Sequence, residues 1–118
     1  MAVYTKELLS GSTSGRPILI AATATPGTLI HTAIAGATSK DEVSLWFYNT
    51  TGSTVDLTVE WGGTSDPADR IIKEFKLTGH TLEQLAFGWP LNGGLVIRAF
   101  ASTASVVNCT GYVNRYSV

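Results

Sequence analysis

Hydrophobic and polar positions alternate most regularly over Glu42–Trp61, EVSLWFYNTTGSTVDLTVEW. Val55, Leu57, Val59 and Trp61 alternate with Asp56, Thr58 and Glu60. That period predicts a strand with one apolar face and one face in water. In the first half, Val43, Leu45 and Phe47 point one way and Trp46 and Tyr48 the other. A strand apolar on both faces is central to two layers or covered by a neighbour on its second side. The run Asn49-Thr50-Thr51-Gly52-Ser53 has the small polar residues of a turn and is too long for a two-residue hairpin. It predicts a hairpin with a loop of four or five residues, around which the rest of the chain builds its layers.

Pro17–Thr25 is expected to open the domain as a strand, with Pro17 at its start, where no ladder donor is needed. Pro26-Gly27 signals a turn, Thr28–Ile34 a second strand, and Gly36–Asp41 a loop. Residues 67–77 send two signals. Ala68, Ile71, Ile72 and Phe75 fall at helical spacing, whereas Ile71, Lys73, Phe75 and Leu77 alternate as in a strand. The β-rich surroundings favour a short helical turn at Pro67–Arg70 and then a strand to Leu77. Thr81–Phe87 reads as a strand, Gly88–Gly94 as a loop, and Leu95–Ala101 as a strand. Val106–Arg115 closes the chain, with Val107, Cys109 and Val113 on one face and Asn108, Thr110, Tyr112 and Asn114 on the other. About eight short strands with turn signals between them predict an all-β fold, an antiparallel β-sandwich or small barrel of jelly-roll-like form. Residues 1–16 have no clean period, and Gly11–Gly15 has linker composition. They are expected to form a flexible N-terminal arm, frayed or ordered on a partner through Val3, Tyr4, Leu8 and Leu9. Residues 17–118 are then the single domain.

Charge narrows the function classes. Charged residues make up 14% of the chain, well below the usual quarter or so, and the net charge is −1 with no block of one sign. That argues against nucleic-acid binding, which needs clustered Lys and Arg. The lone Cys109 has no disulfide partner and suits a small buried hydrophobe. No secretory signal and no run long enough to span a membrane are visible, so synthesis in a cytoplasm is expected. Candidate chemistry is thin. His31, expected on the face of Leu29 and Ala33, and His80, in a turn, read as structural. Asp66 and Asp69 read as turn residues, and Arg70, Lys73 and Lys76, mixed with Glu74, as a solvated face. The sequons at Asn49 and Asn108 carry little weight without a signal peptide. No catalytic, cofactor or metal set is predicted. The aromatics are more informative. Trp46, Tyr48, Trp61, Trp89 and Tyr112 exceed what one small core holds. With Tyr4, Leu8 and Leu9 they form the expected partner interface.

Three stretches carry a resemblance. They are Ser14-Gly15-Arg16-Pro17-Ile18-Leu19-Ile20 into Ala21-Ala22-Thr23, then Asp41–Trp46 through Glu60-Trp61-Gly62-Gly63, and Gly94–Phe100 through Gly111-Tyr112-Val113-Asn114-Arg115. Over most of residues 14–116 the chain resembles small virion-associated β proteins of tailed bacteriophages. The resemblance implies a non-enzymatic structural role on the virion. Its preferred form is capsid decoration (cement), in which a homo-oligomer, often a trimer, binds the major capsid protein of the assembled shell and bridges its subunits. A neck, tail or fibre-base protein is the nearest alternative. A carbohydrate-binding sandwich module, stacking Trp46, Trp61 or Trp89 on sugar rings, is a further one.

Overall fold

The computed structural model describes residues 1–118. Nine strands form: β1 (Val3–Glu7), β2 (Ile18–Ile20), β3 (Thr28–Thr32), β4 (Lys40–Asn49), β5 (Val55–Trp61), β6 (Arg70–Leu77), β7 (Leu82–Leu91), β8 (Val96–Ala101) and β9 (Val107–Ser117). β2 pairs with β9, β3 with β8, β4 with β7 and β5 with β6, all antiparallel. The chain is thus one long antiparallel ribbon, turned at the β5–β6 connection and rolled on itself. Rolling adds the β4–β9 and β5–β8 pairs. The first sheet runs β2-β9-β4-β7 and the second β3-β8-β5-β6. This is a sandwich with jelly-roll strand order. β1 extends the first sheet, pairing with Val113–Ser117 while β2 takes Val107–Cys109 on the same strand.

β4 is the central row of the core. Asp41, Val43, Leu45, Phe47 and Asn49 are all buried on its inner face. Leu57, Val59, Ile97 and Ala99 of the second sheet complete the core. Asn49 closes one end of the row. Its amide donates to the carbonyls of Ser53 (2.7 Å) and Leu77 (3.0 Å), and its oxygen accepts from the Thr51 N–H (2.9 Å) and hydroxyl (2.8 Å). With every polar atom so engaged, Asn49 is closed to glycosylation in the folded chain.

Several expectations change. β4 and β5 do not form a hairpin; they lie in opposite sheets, and residues 50–54 cross between them. Period-two alternation reports which face is apolar and is silent on which sheet receives the strand. The water-facing side of β5 is also covered. Thr58 is 3% exposed and Glu60 fully buried. The first strand shrinks to Ile18–Ile20 because the Ala21 and Ala22 N–H groups both donate to the Thr28 hydroxyl instead of a ladder. A bulge between Leu29 and His31 exposes Leu29 and buries His31, so the two do not share a face. β7 runs through the expected 88–94 loop as far as Leu91. Gly88, at φ 74°, carries the extra residue of a bulge, and Pro90 is tolerated because β7 is an edge strand. At 65–70 a single turn closes through Asp69 N–H to the Ser65 carbonyl, and the expected strand follows without a helix.

Residues 1–16 do not stand apart as an arm. β1 is a sheet strand, and Leu9 is 2% exposed within the core. The Gly11 N–H donates to the Ile30 carbonyl (2.9 Å), and the Thr32 N–H to the Ser10 hydroxyl (2.7 Å). This segment therefore straps the β3 edge.

Glu60 holds the outer side of the second sheet. One oxygen accepts from the Gly27 N–H (2.6 Å), the other from the Thr25 hydroxyl (2.6 Å) and the Arg70 guanidinium (3.1 Å). Gly27 is needed there, since a Cβ would lie 2.5 Å from the Ala99 carbonyl oxygen. Glu60→Ala takes the carboxylate from the largely buried Arg70, which keeps only the Thr64 and Ser65 carbonyls, and leaves the buried Gly27 N–H unpaired, so it should cost about 3 kcal/mol. Lys76→Ala, at the exposed Asp56 pair, should cost no more than about 1 kcal/mol. Urea unfolding midpoints check the ordering, and equal shifts would contradict the assignment of Glu60 as a buried clamp.

Candidate functional site

The outer face of the first sheet gathers the aromatics. On β4, Lys40, Glu42, Trp46 and Tyr48 point away from the core, because the inner positions alternate with them. On β9 the outer positions are Asn108, Thr110, Tyr112, Asn114 and Tyr116. The register sets Tyr116 beside Lys40 and Tyr4, and Thr110 beside Trp46. The Trp46 and Tyr112 rings stack at 6.0 Å, and the Tyr4 and Tyr116 rings meet at 5.2 Å. The Lys6 ammonium lies 4.6 Å from the Tyr112 ring centre, and the Lys40 ammonium 5.4 Å from that of Tyr116.

A second surface follows the free edge of β7. Leu82 (58%), Phe87 (59%) and Trp89 (39%) are exposed along it. Trp89 meets Phe87 at 6.0 Å and Trp61 of β5 edge-on at 6.0 Å. Trp61 also packs against the core, so these rings bridge the two sheets at their rim. The strand carries one charge, Glu83.

Of the expected interface residues, Tyr4, Trp46, Tyr48 and Tyr112 share the outer face, and Trp61 and Trp89 form the rim pair. Leu8 is exposed beside neither group's rings, near Gly15. Leu9 is corrected outright; it is a core residue. Tyr116, Phe87, Leu82, Lys6 and Lys40 are additions. Tyr116 continues the alternation of β9 one step past Arg115, a signal available in the sequence. Phe87 and Leu82 become conspicuous only once β7 is known to be an edge. The largest depression, about 690 Å³, adjoins the Asn108 end of the outer face and is lined by Thr13, Arg16, Leu19, Thr28 and Asn108 among others.

The remaining polar groups with chemical potential are tied into the fold. Asp41, fully buried, accepts from Arg115 at both oxygens (2.7 and 3.0 Å), from the His31 Nε2 (2.7 Å) and from the Ile34 N–H (3.1 Å). The Ser10 N–H donates to His31 Nδ1 (3.0 Å), which leaves the hydrogen on Nε2. Cys109 is sealed in the core, and burial pushes its thiol up. Asp69 accepts from the Ser65 N–H (2.9 Å) within its turn, and Asp66 pairs with Lys73 (2.8 Å). No three His, Cys, Asp or Glu side chains converge as a metal site would require.

Burial by itself pushes the Asp41 carboxyl up. The hydrogen bonds from Arg115 and His31 and the Arg115 charge outweigh it and hold the group below its ordinary 3.8. The unfolded chain takes up that proton at a higher pH than the folded chain does. The contribution is therefore complete above about pH 5 and is lost as pH falls through the folded value, below 3.8. Between pH 6 and pH 2.5 the parent should lose more stability than Asp41→Asn, which is already weakened at pH 6. Parallel losses in denaturant titrations would place the acid sensitivity elsewhere.

No family model matches the chain, and no curated protein or solved structure is found to be similar to it.

Proposed function

We propose that the protein is a non-enzymatic virion structural protein, a capsid decoration (cement) protein that self-associates and binds the assembled shell across its subunits. The observation that carries this reading is the β7 edge. A ten-residue edge strand with a single charge and exposed Leu82, Phe87 and Trp89 is a surface that folded proteins ordinarily blunt or cover. The other edges are short, charged or covered, and five-residue β1 carries Lys6 and Glu7. β6 carries Lys73, Glu74 and Lys76, β3 is strapped by Ser10 and Gly11, and β2 is three residues long. The two bulges and Pro90 limit continuous strand pairing along β7, so its partner meets it chiefly through side chains.

The resemblance to phage virion proteins supplies the setting, and the jelly-roll order adds an analogy, since viral capsid domains share it. Self-association places several shell-binding surfaces on one particle, so weak contacts act together. A protein that binds only the assembled shell stabilises it by mass action. The major capsid protein is the proposed partner and the virion the proposed location, with a trimer the favoured assembly.

Light scattering on the purified protein should give a defined oligomer, a trimer in the favoured form. The double variant Leu82→Ser and Phe87→Ser should dissociate it, at about 2 kcal/mol or more of association free energy per anchor. Both side chains are more than half exposed, so the melting temperature of the dissociated chain should stay near that of the parent. The parent should also co-sediment with assembled shells and not with free capsid subunits. A monomeric parent, or equal binding to shells and free subunits, would sink the reading.

A further inference from the structure

The outer face of the first sheet differs in chemistry from the β7 edge. We propose that it binds an extended acidic polysaccharide, whose sugar rings lie on Trp46 and Tyr48 and whose carboxylates meet Lys6 and Lys40. Three observations combine.

The first is composition. The aromatic rings of β4 and β9 are interleaved with Asn108, Thr110 and Gln84, which offer neutral amides and hydroxyls. Apolar side chains without a polar tip stay at the margins, where Leu19 and Leu82 flank Asn108 and Tyr48 and where Phe87 and Pro90 of the β7 edge lie beside Ser44 and Glu42. A protein partner would find little aliphatic surface here. A sugar finds both of its needs, since its C–H faces pack on rings and its hydroxyls bond to amides.

The second is charge. Neither Lys6 nor Lys40 is ion-paired, whereas Lys73, Lys76, Arg70 and Arg115 all are. Both free ammonium groups sit over tyrosine rings, which fixes them on the face without neutralising them. Glu42 lies in the same row as Lys6, with Asn114 between them, and is the one acid on this part of the face. The local excess is cationic on a chain whose net charge is −1. A carboxylate-bearing ligand complements it.

The third is reach. Lys40 and Tyr48 lie at opposite ends of one strand, about 26 Å apart at the usual rise per residue. A ligand that uses both ends is a polymer. Two cations on an acidic chain fall short of the phosphate-neutralising track that single-stranded nucleic acid requires.

The test uses the full chain and four probes: polygalacturonate, alginate, dextran and a twenty-residue oligothymidylate. Tryptophan fluorescence and affinity electrophoresis read the binding. At least one of the two uronate polymers should bind, more weakly as salt rises, with dextran and the oligothymidylate bound at least about tenfold less tightly. Trp46→Ala and, separately, Tyr48→Ala should each weaken it about tenfold. Lys6→Gln with Lys40→Gln should weaken it about fivefold and flatten the salt dependence. Trp89→Ser, at the rim with Trp61 and opposite the inward-facing Val43, should leave it unchanged per chain, which separates this site from the proposed oligomer contact. No binding to either uronate, equal or tighter binding of dextran or oligothymidylate, or Trp46→Ala and Tyr48→Ala proteins that melt and bind like the parent would each overturn the proposal.

Discussion

The fold depends on where one carboxylate is held. Asp41 begins the inner row of β4 and binds His31 of the second sheet, Arg115 of β9 and the Ile34 amide leading back into β4. Through His31 it also fixes the Ser10 amide and so the N-terminal strap. A sandwich core resists separation of its sheets but does little to choose their relative register, because hydrophobic burial is non-directional. The Asp41 cluster supplies direction at one end of β4, and Asn49 supplies it at the other. Between them lie Val43, Leu45 and Phe47, which fill space and make no such choice. Buried charge is costly unless each lone pair is met, and here Arg115 of β9 meets both oxygens while His31 and the Ile34 amide add to one of them. The element that fails to arrive leaves a buried charge short of a partner, which ties the strap, both sheets and β9 into one cooperative unit.

This polar framework is also what the sequence conceals. The inner faces of β4, β5 and β9 are legible as alternation, and the turn at 65–70 and the strand after it follow from local rules. Asp41 reads as a loop residue because a carboxylate beside Lys40 and Glu42 looks solvated. Only the pairing of β4 with β9 brings Arg115 opposite it. Glu60 sits among water-facing positions of β5, and its burial depends on Gly27, Arg70 and a loop thirty residues away in sequence. The same reason explains the hairpin that became a crossover. Local alternation carries no record of the ribbon rolling that sends β4 and β5 to opposite sheets. Residues 1–16 looked like a linker because their hold comes from the β1–β9 ladder, from Leu9 and from the Ser10 and Gly11 contacts to β3, none of which leaves a hydrophobic period.

The surface was partly legible, and the division is instructive. An excess of rings over core volume is a count, and it identified Trp46, Tyr48, Tyr112, Trp61 and Trp89 as residues with somewhere else to be. Their grouping needed the sheets. Trp46, Tyr48 and Tyr112 share a face because β4 and β9 are neighbours, and Trp61 meets Trp89 because β5 and β7 end at the same rim. Lysines carry no such count. Lys6 and Lys40 lie far apart in the chain and come together only through β9, which pairs with β1 and β4 at once.

Two surfaces with different chemistry on one small sandwich follow from the same roll. An inner strand of a sheet can show only a flat, fully paired face, so what it presents outward is side chains over a closed backbone. That suits an extended ligand read by stacking and fixed charge. An edge strand presents side chains and unpaired backbone together, which suits another folded chain. β4 and β9 are inner strands and carry rings, amides and held ammonium groups. β7 is an edge and carries Leu82, Phe87 and Trp89. The residues at each place fit the kind of contact that its position in the ribbon allows. Leu82 and Phe87 lie in register with Tyr48 and Ser44, so a partner seated on the β7 edge borders the broad face on that side and leaves the Lys6 and Lys40 side of β9 and β1 open to solution.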